Sequence, residues 1–443
     1  MENKILAYMI PQGVASQMLR AAAGKKPGVI THIGLGTFVD PRIEGCKANQ
    51  LTEDSGEEVV ELVNIGGEER LFFKTIPLDI CLIKGTYADE MGNVSCEEEG
   101  IIPDILEMAL ATHNSGGKVI VQVNKIVQAG SLNPRNVIVH HSMVDYVVEG
   151  KPETSVQTYA CDYYRPEIAG KLRIPLDAIE PLPMSERKII ARRGAMELRK
   201  GITVNLGVGV GEAVGVVASE EGVSDQFTFS IESGVLGGVP LGGKAMGTSY
   251  NFEAMYKQAD AFDFYDGGGL DLTCLGAAQI DALGNVNVSK FSGRAVGPGG
   301  FINISQCAKK VCYVGTFTAG GLKVAVEDGK LKIVQEGRNI KFLNEVEQIS
   351  FSGNYALKSG QEVLYITERA VFKLMPEGLT LIEIAPGVDL EKDILAYMEF
   401  RPIISPDLKL MDERLFREEK MGLTLMDKEV KEEKEEKVLQ LTY

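Results

Sequence analysis

Apolar residues along this chain come in short runs, each followed by a glycine-rich turn and then by a stretch with helical spacing. Val29, Ile30 and Ile33 predict a strand over 28–33 that enters the turn Gly34-Leu35-Gly36. From Pro103 to Asn114, the residues Ile105, Leu106, Ala109 and Leu110 share one helix face, with Pro in the first turn. Ser115-Gly116-Gly117 ends that helix, and Val119-Ile120-Val121-Gln122-Val123 reads as a buried strand. Ser185 caps a helix predicted to run to about Lys200, Gly201 stops it, and Ile202 to Leu206 opens another strand. Strands alternating with helices in this way predict an α/β fold with open, mostly parallel sheets.

The pattern repeats. Asp89-Glu90-Met91-Gly92-Asn93-Val94 matches Asp281-Ala282-Leu283-Gly284-Asn285-Val286 at an offset of 192 residues, and Gly117-Lys118-Val119 falls on Lys309-Lys310-Val311 at that same offset. A constant register over both matches predicts two related α/β domains with a site in the cleft between them. Pro175, Pro181 and Pro183 mark the boundary, giving an N-terminal domain over 1–183 and a C-terminal domain over 184–417. Residues 418–443 read as a charged tail, and the acidic segment Glu53 to Arg70 as a solvated excursion without a core pattern.

A chain of 443 residues is too long for one compact domain, and 44% hydrophobic residues can fill a substantial core. A net charge of −16 argues against a nucleic-acid or anionic-membrane surface. The seven cysteines (46, 81, 96, 161, 274, 307, 312) stand singly in apolar surroundings, as reduced thiols do in a cytoplasmic protein. No apolar run is long enough to span a bilayer as a helix. Among four histidines only His140-His141 cluster, and neither a metal-binding motif nor a serine-hydrolase elbow occurs.

Three glycine-rich stretches carry possible chemistry. Gly207, Gly209 and Gly211 lie between a strand and a helix, but their G-x-G-x-G spacing differs from a dinucleotide fingerprint. Phosphate binding and tight helix–strand packing both explain it. The loop Gly297-Pro298-Gly299-Gly300-Phe301 could offer several bare amides to an oxyanion. Glu232 ends the apolar run Phe229-Ser230-Ile231 and precedes Ser233-Gly234-Val235-Leu236-Gly237-Gly238, where a catalytic carboxylate and a structural, salt-bridged or capping one are both open.

The run Glu232 to Gly238 resembles the glutamate motif of family I CoA-transferases, especially the acetate/propionate (short-chain acyl) subgroup. Leu206-Gly207-Val208-Gly209, Gly276 to Asp281, Gly284 to Asn287, Gly297 to Phe301, Phe400 to Ser405 and Thr31 to Arg42 fit that subgroup too. The resemblance implies the architecture that these enzymes share with sugar-phosphate isomerases. It also implies ping-pong transfer of CoA from a short-chain acyl-CoA to a short-chain carboxylate, through a glutamyl-CoA thioester on Glu232. Gly299 and Gly300 would then be the oxyanion donors, and Gly207, Gly209 and Gly211 would bind CoA. Asn285 or Asn287 would orient Glu232, and Gly34, Gly36 and Thr37 would line the acyl pocket. It implies a homo-oligomer with CoA as substrate, no permanently bound cofactor, and no metal, nucleic acid or membrane partner. Members of the subgroup carry a further stretch ahead of the point matching Met1, so an incomplete or inactive paralogue is the alternative. A sugar-phosphate isomerase or ligand sensor of the same architecture is another.

Overall fold

The computed structural model describes residues 3–158, 163–175 and 181–428. The chain opens with helix α1 (Gln12–Ala23) and a small antiparallel sheet of β1 (Gly28–Thr31), β2 (Val60–Ile65) and β3 (Glu68–Lys74), in the order β1-β3-β2. The segment 53–70 is therefore not a solvated excursion. It leaves a short helix capped by Asn49 and enters β2 and β3, which bury Val60, Leu71 and Phe73 in the largest core. Its charged residues hide that role, because only alternate positions of a strand face inward.

The main sheet of the first half has the order β7-β5-β4-β6-β8. It is built from β4 (Ile80–Asp89), β5 (Val94–Ser95), β6 (Lys118–Val127), β7 (Val137–Val139) and β8 (Tyr146–Glu149), with β4, β6 and β8 parallel. Helix α2 (Ile105–Asn114) covers one face through Ile105 and Ala109, against Cys81, Ile83, Val119 and Val121.

The second half supplies α3 (Glu186–Ala195), β9 (Thr203–Leu206), α4 (Val210–Glu220), β10 (Thr228–Ser230), β11 (Val235–Leu236), β12 (Ala254–Met255) and α5 (Gln258–Asp266). It continues with β13 (Leu272–Gly276), β14 (Gln279–Asp281), β15 (Val286–Asn287), α6 (Phe301–Cys307), β16 (Lys310–Val314) and β17 (Glu362–Ile366), then β18 (Ala370–Met375), β19 (Gly378–Ile384) and β20 (Ile403–Leu410). Ten of these strands form one sheet, β12-β11-β10-β9-β13-β16-β17-β18-β19-β20. Its centre, β10 through β17, is parallel, and antiparallel pairs flank it on both sides. The class is α/β, as the alternating pattern predicts.

The repeat is structural as well as sequential. Strands β4 and β6 align Ile80 with Lys118, and β13 and β16 align Leu272 with Lys310, both shifted by 192. Asp89 accepts from the Met91 and Asn93 backbone amides and from the Asn93 side chain at 2.9–3.1 Å. Asp281 accepts the same three bonds from Leu283 and Asn285 at 2.9–3.0 Å. In each turn the asparagine Oδ1 takes one more backbone amide at 3.0 Å, from His141 or from Gly353.

The largest core draws on both sides of residue 183: Val14, Phe38, Leu71 and Phe73 pack with Phe262, Ile302, Phe317 and Phe372. The charged tail also begins later than residue 418. Met421 and Leu425 are buried, and Arg192 donates to the Glu419 carbonyl at 2.8 Å. Residues 429–443 lie outside the described residues.

Candidate active site

Glu232 lies two residues past Ser230 at the carboxyl end of β10, where open α/β sheets place their ligands. The chain turns back at once. Ile231 N–H donates to the Val235 carbonyl and Gly234 N–H to the Ile231 carbonyl, each at 2.9 Å, and β11 then pairs antiparallel with β10. Gly234 has φ +103°, and a Cβ there would lie 1.9 Å from the Tyr256 carbonyl oxygen, so this turn excludes any side chain. The glycines after Glu232 thus hold the carboxylate on a hairpin tip.

Protein surrounds the Glu232 side chain, although part of it keeps access to solvent. Burial pushes its carboxyl above the usual range. Its own backbone N–H and the side chain of Asn205 pull in the opposite direction. Asn205, fully buried on β9, also donates Nδ2 to the Ser230 carbonyl at 3.1 Å. Behind it, Ser230 Oγ and Tyr265 Oη share a 2.6 Å hydrogen bond. Burial, with a smaller push from the Glu232 charge, raises the Tyr265 phenol well above its ordinary value and keeps it neutral.

Across from this hairpin, Gly300 comes against Glu232. A Cβ built on it would stand 3.5 Å from Glu232 Cγ and 3.2 Å from both Ile304 Cδ1 and Phe262 Cζ. Gly300 is buried while Gly299 is exposed with φ +52°. Among the described residues, neither amide donates a hydrogen bond. The Gly299 carbonyl accepts from Gln12 N–H at 2.9 Å, and Gln12 is tied through Gln258 to the buried Asp104 carboxylate. Helices α1 and α2 of the first half thereby reach the loop that faces Glu232.

Other candidates fall elsewhere. Asn285 and Asn287 do not orient Glu232. Asn285 is consumed by its turn with Asp281 and Gly353, and Asn287 Nδ2 donates to Gln279 and to the Lys290 carbonyl while its Oδ1 accepts from the Ser289 and Lys290 amides. The side-chain amide that does reach Glu232 is that of Asn205. The glycine spacing could not reveal it, but an amide inside the apolar strand Thr203-Val204-Asn205-Leu206 was a readable signal.

Gly34 and Thr37 lie by the far end of α6 from Gly300: Gly34 N–H donates to Gln306, and Thr37 Oγ1 donates to the Gly34 carbonyl. Gly36 N–H goes to Asp40, and a Cβ on Gly36 would meet Ser352. These residues close a turn beside α6, and none is brought against Glu232. Gly207 and Gly211 have a packing reason, since a Cβ would lie 2.9 Å from Leu275 Cδ2 or 2.5 Å from the Cys274 oxygen. The Gly209 amide serves Glu212, whose carboxyl burial pushes upward, so an anion there would meet an acidic side chain. A cavity of about 310 Å³, lined by Lys47, Asn49, Glu53 and Lys290 among others, does not include Glu232.

The sequence profile of the coenzyme A transferase family matches residues 1–150. The chain is 50% identical over 432 residues to the caffeate CoA-transferase of Acetobacterium woodii, covering 96% of this chain and 82% of that one. The chain belongs to the family I CoA-transferases. This CoA-transferase is also 48% identical over 424 residues to the acetate CoA-transferase YdiF of Escherichia coli strain K12, covering 96% and 79%. The solved acyl-CoA transferase YdiF of E. coli O157:H7, a thioester complex with CoA, superimposes with a TM-score of 0.90 at 46% identity, over 96% of this chain and 80% of that one. Family membership makes CoA thioesters the substrates and sets aside the isomerase and sensor readings. No helix among the described residues is long and apolar enough to cross a membrane.

Proposed function

We propose that this CoA-transferase moves CoA from a short-chain acyl-CoA to a short-chain carboxylate, with Glu232 as covalent nucleophile. The observation that carries the reading is the position of Glu232: a largely enclosed carboxylate on a hairpin, with the backbone of Gly300, whose amide donates no hydrogen bond among the described residues, beside its side chain. The relative solved as a thioester complex with CoA supports the covalent route.

In the first step a Glu232 oxygen attacks the thioester carbonyl carbon, the carbon–sulfur bond breaks, and the CoA thiolate departs from a mixed anhydride. The thiolate then attacks the Glu232 carbonyl carbon. The anhydride carbon–oxygen bond breaks, the donor acid leaves as its carboxylate, and Glu232 holds CoA as a thioester. An acceptor carboxylate repeats the two steps in reverse. No proton is gained or lost overall. Each step passes through a tetrahedral oxyanion, and the amides of Gly299 and Gly300 are its donors. Asn205 steadies the ionised form of Glu232, and interactions with the CoA moiety offset the cost of forming an anhydride.

Glu232→Gln tests the nucleophile. Transfer from acetyl-CoA to propionate should fall by at least about a thousandfold while CoA still binds. Intact mass of the unmodified chain mixed with acetyl-CoA should show a CoA-sized adduct that the variant lacks. Full transfer by the variant would sink the mechanism. A second reading, transfer to an aromatic acid, has the caffeate CoA-transferase relative in its favour. Rates with acetate, propionate and caffeate as competing acceptors decide between the two.

A further inference from the structure

The Gly299 carbonyl and the Gly300 N–H belong to one peptide unit. That unit is planar and trans, so the direction of one group fixes the direction of the other. Gln12 N–H holds the Gly299 carbonyl at 2.9 Å, and Gly300 N–H, next to Glu232, therefore points away from Gln12. Whatever places Gln12 also aims the Gly300 amide.

Gln12 opens α1 and is placed by its side chain as well as by its helix. Its Nε2 donates to Gln258 Oε1 at 2.9 Å, and Gln258 Nε2 donates in turn to Asp104 Oδ2 at 2.8 Å and to Ser16 Oγ at 3.1 Å. Ser16 Oγ donates to the same Asp104 oxygen at 2.7 Å. A carboxylate only accepts, so Asp104 decides which end of the Gln258 amide faces it. The Gln258 carbonyl is thereby left for Gln12. Beside Gln12, Gly13 N–H donates to Asn303 Oδ1 at 3.1 Å, and a Cβ on Gly13 would lie 2.6 Å from Phe262 Cδ1. The first turn of α1 thus sits hard against α5 and α6.

Asp104 is an unusual anchor. An aspartate just before a helix ordinarily caps that helix, yet Asp104, the N-cap of α2, makes no side-chain bond to it. Asp104 is 7% exposed, and its Oδ1 has no hydrogen-bond partner among the described residues. Burial, with the nearby Glu107 charge adding to it, pushes its carboxyl above the usual range. A carboxylate buried on these terms does little for stability. What it does is order Gln258. We propose that Asp104 is a positioning residue for CoA transfer: through Gln258 and Gln12 it sets the direction of the Gly300 amide. This rests on the transfer reading above and adds to it a residue from the other half of the chain, which acts only through its neighbours.

Asp104→Ala, Asp104→Asn, Gln258→Ala and the double variant Asp104→Ala with Gln258→Ala test this in the full chain. Asp104→Ala and Gln258→Ala should each lower kcat by about 10- to 30-fold and leave KM for acetyl-CoA within about twofold. The double variant should lose no more than Gln258→Ala alone, because one residue acts through the other. Asp104→Asn keeps an acceptor oxygen in the same place and should hold kcat within about threefold. Hydrogen exchange of the Gln12 amide, read on the chain without substrate, should quicken by about tenfold in Asp104→Ala and stay unchanged in Asp104→Asn. Additive losses in the double variant, or a normal kcat in Asp104→Ala, would overturn the proposal. So would a loss in Asp104→Asn as deep as in Asp104→Ala, or unchanged Gln12 exchange in Asp104→Ala. An unmodified chain that forms no CoA adduct and transfers nothing counts against the transfer reading instead, and the Gln12 exchange still decides whether Asp104 holds the loop.

Discussion

Glu232 runs alongside the backbone of Gly300, close enough that a methyl group added to Gly300 would stand 3.5 Å from Glu232 Cγ. Gly300 has φ −81°, which any residue adopts, so its smallness answers to crowding and not to backbone strain. Gly300→Ala should fold with near-normal stability after small shifts of Ile304 and Phe262. The added methyl would take up space beside the carboxylate that the reacting thioester needs and lower kcat by roughly 10- to 100-fold, because reacting groups tolerate little misplacement. Steady-state kinetics beside a thermal melt checks this. A variant with normal kcat would remove Gly300 from the oxyanion wall.

Asn205 is the residue whose loss should change the pH profile. Its side chain favours the ionised form of Glu232 against the burial that opposes it. Without that donor the carboxyl rises further, and the acid limb of kcat/KM moves to higher pH. Asn205→Ala should therefore lose more activity at pH 6 than at pH 8, by about tenfold or more at the lower value. A uniform loss across pH would mean that Asn205 supports packing alone.

How much of this was legible beforehand depends on the kind of signal each residue leaves. The strand 119–123, the helix ending at Asn114 and the Ser185 cap rest on local apolar spacing and capping, and the structure keeps all three, with Ser185 Oγ accepting from Lys188 N–H. Glu232 was visible because its glycines are adjacent in sequence. Asn285 and Asn287 were misread because their neighbours in the chain satisfy them, which spacing alone does not disclose. Asn205 and Gly300 meet Glu232 from different strands and loops, so only the folded sheet brings them together. The strands over 60–74 were hidden by charge on their outward positions.

The correction at Asn285 has its own consequence. Asn285→Ala removes a side chain that joins Asp281 Oδ2 at 2.9 Å and the Gly353 amide at 3.0 Å, leaving the Gly353 amide without its acceptor and Asp281 with one bond fewer in a buried turn. Urea unfolding should show a loss of about 1–3 kcal/mol. Asn93→Ala, in the sister turn, should cost stability through the same contacts. Neither should alter KM for acetyl-CoA. A fall in kcat for Asn285→Ala without a stability loss would restore an orienting role.

Glu232 should also leave a mark on stability, with a sign opposite to that of a salt-bridged carboxylate. Its folded-state pKa is raised, chiefly by burial, so the folded protein binds this proton more tightly than the unfolded chain does. The resulting stabilisation is complete below the ordinary glutamate value of about 4.3 and is lost as pH rises through the elevated folded value. At pH 8 the chain holds an ionised carboxylate that its surroundings only partly satisfy. Glu232→Gln removes that charge while keeping the shape, so it should raise the melting temperature at pH 8 by about 2 °C or more. The difference should close as pH falls below the elevated folded value toward the ordinary glutamate range, where protonation removes the buried charge from wild-type Glu232 as well. A variant that is less stable at pH 8 would mean that the ionised form is the favoured one in the fold, and that Asn205 and the local amides outweigh burial.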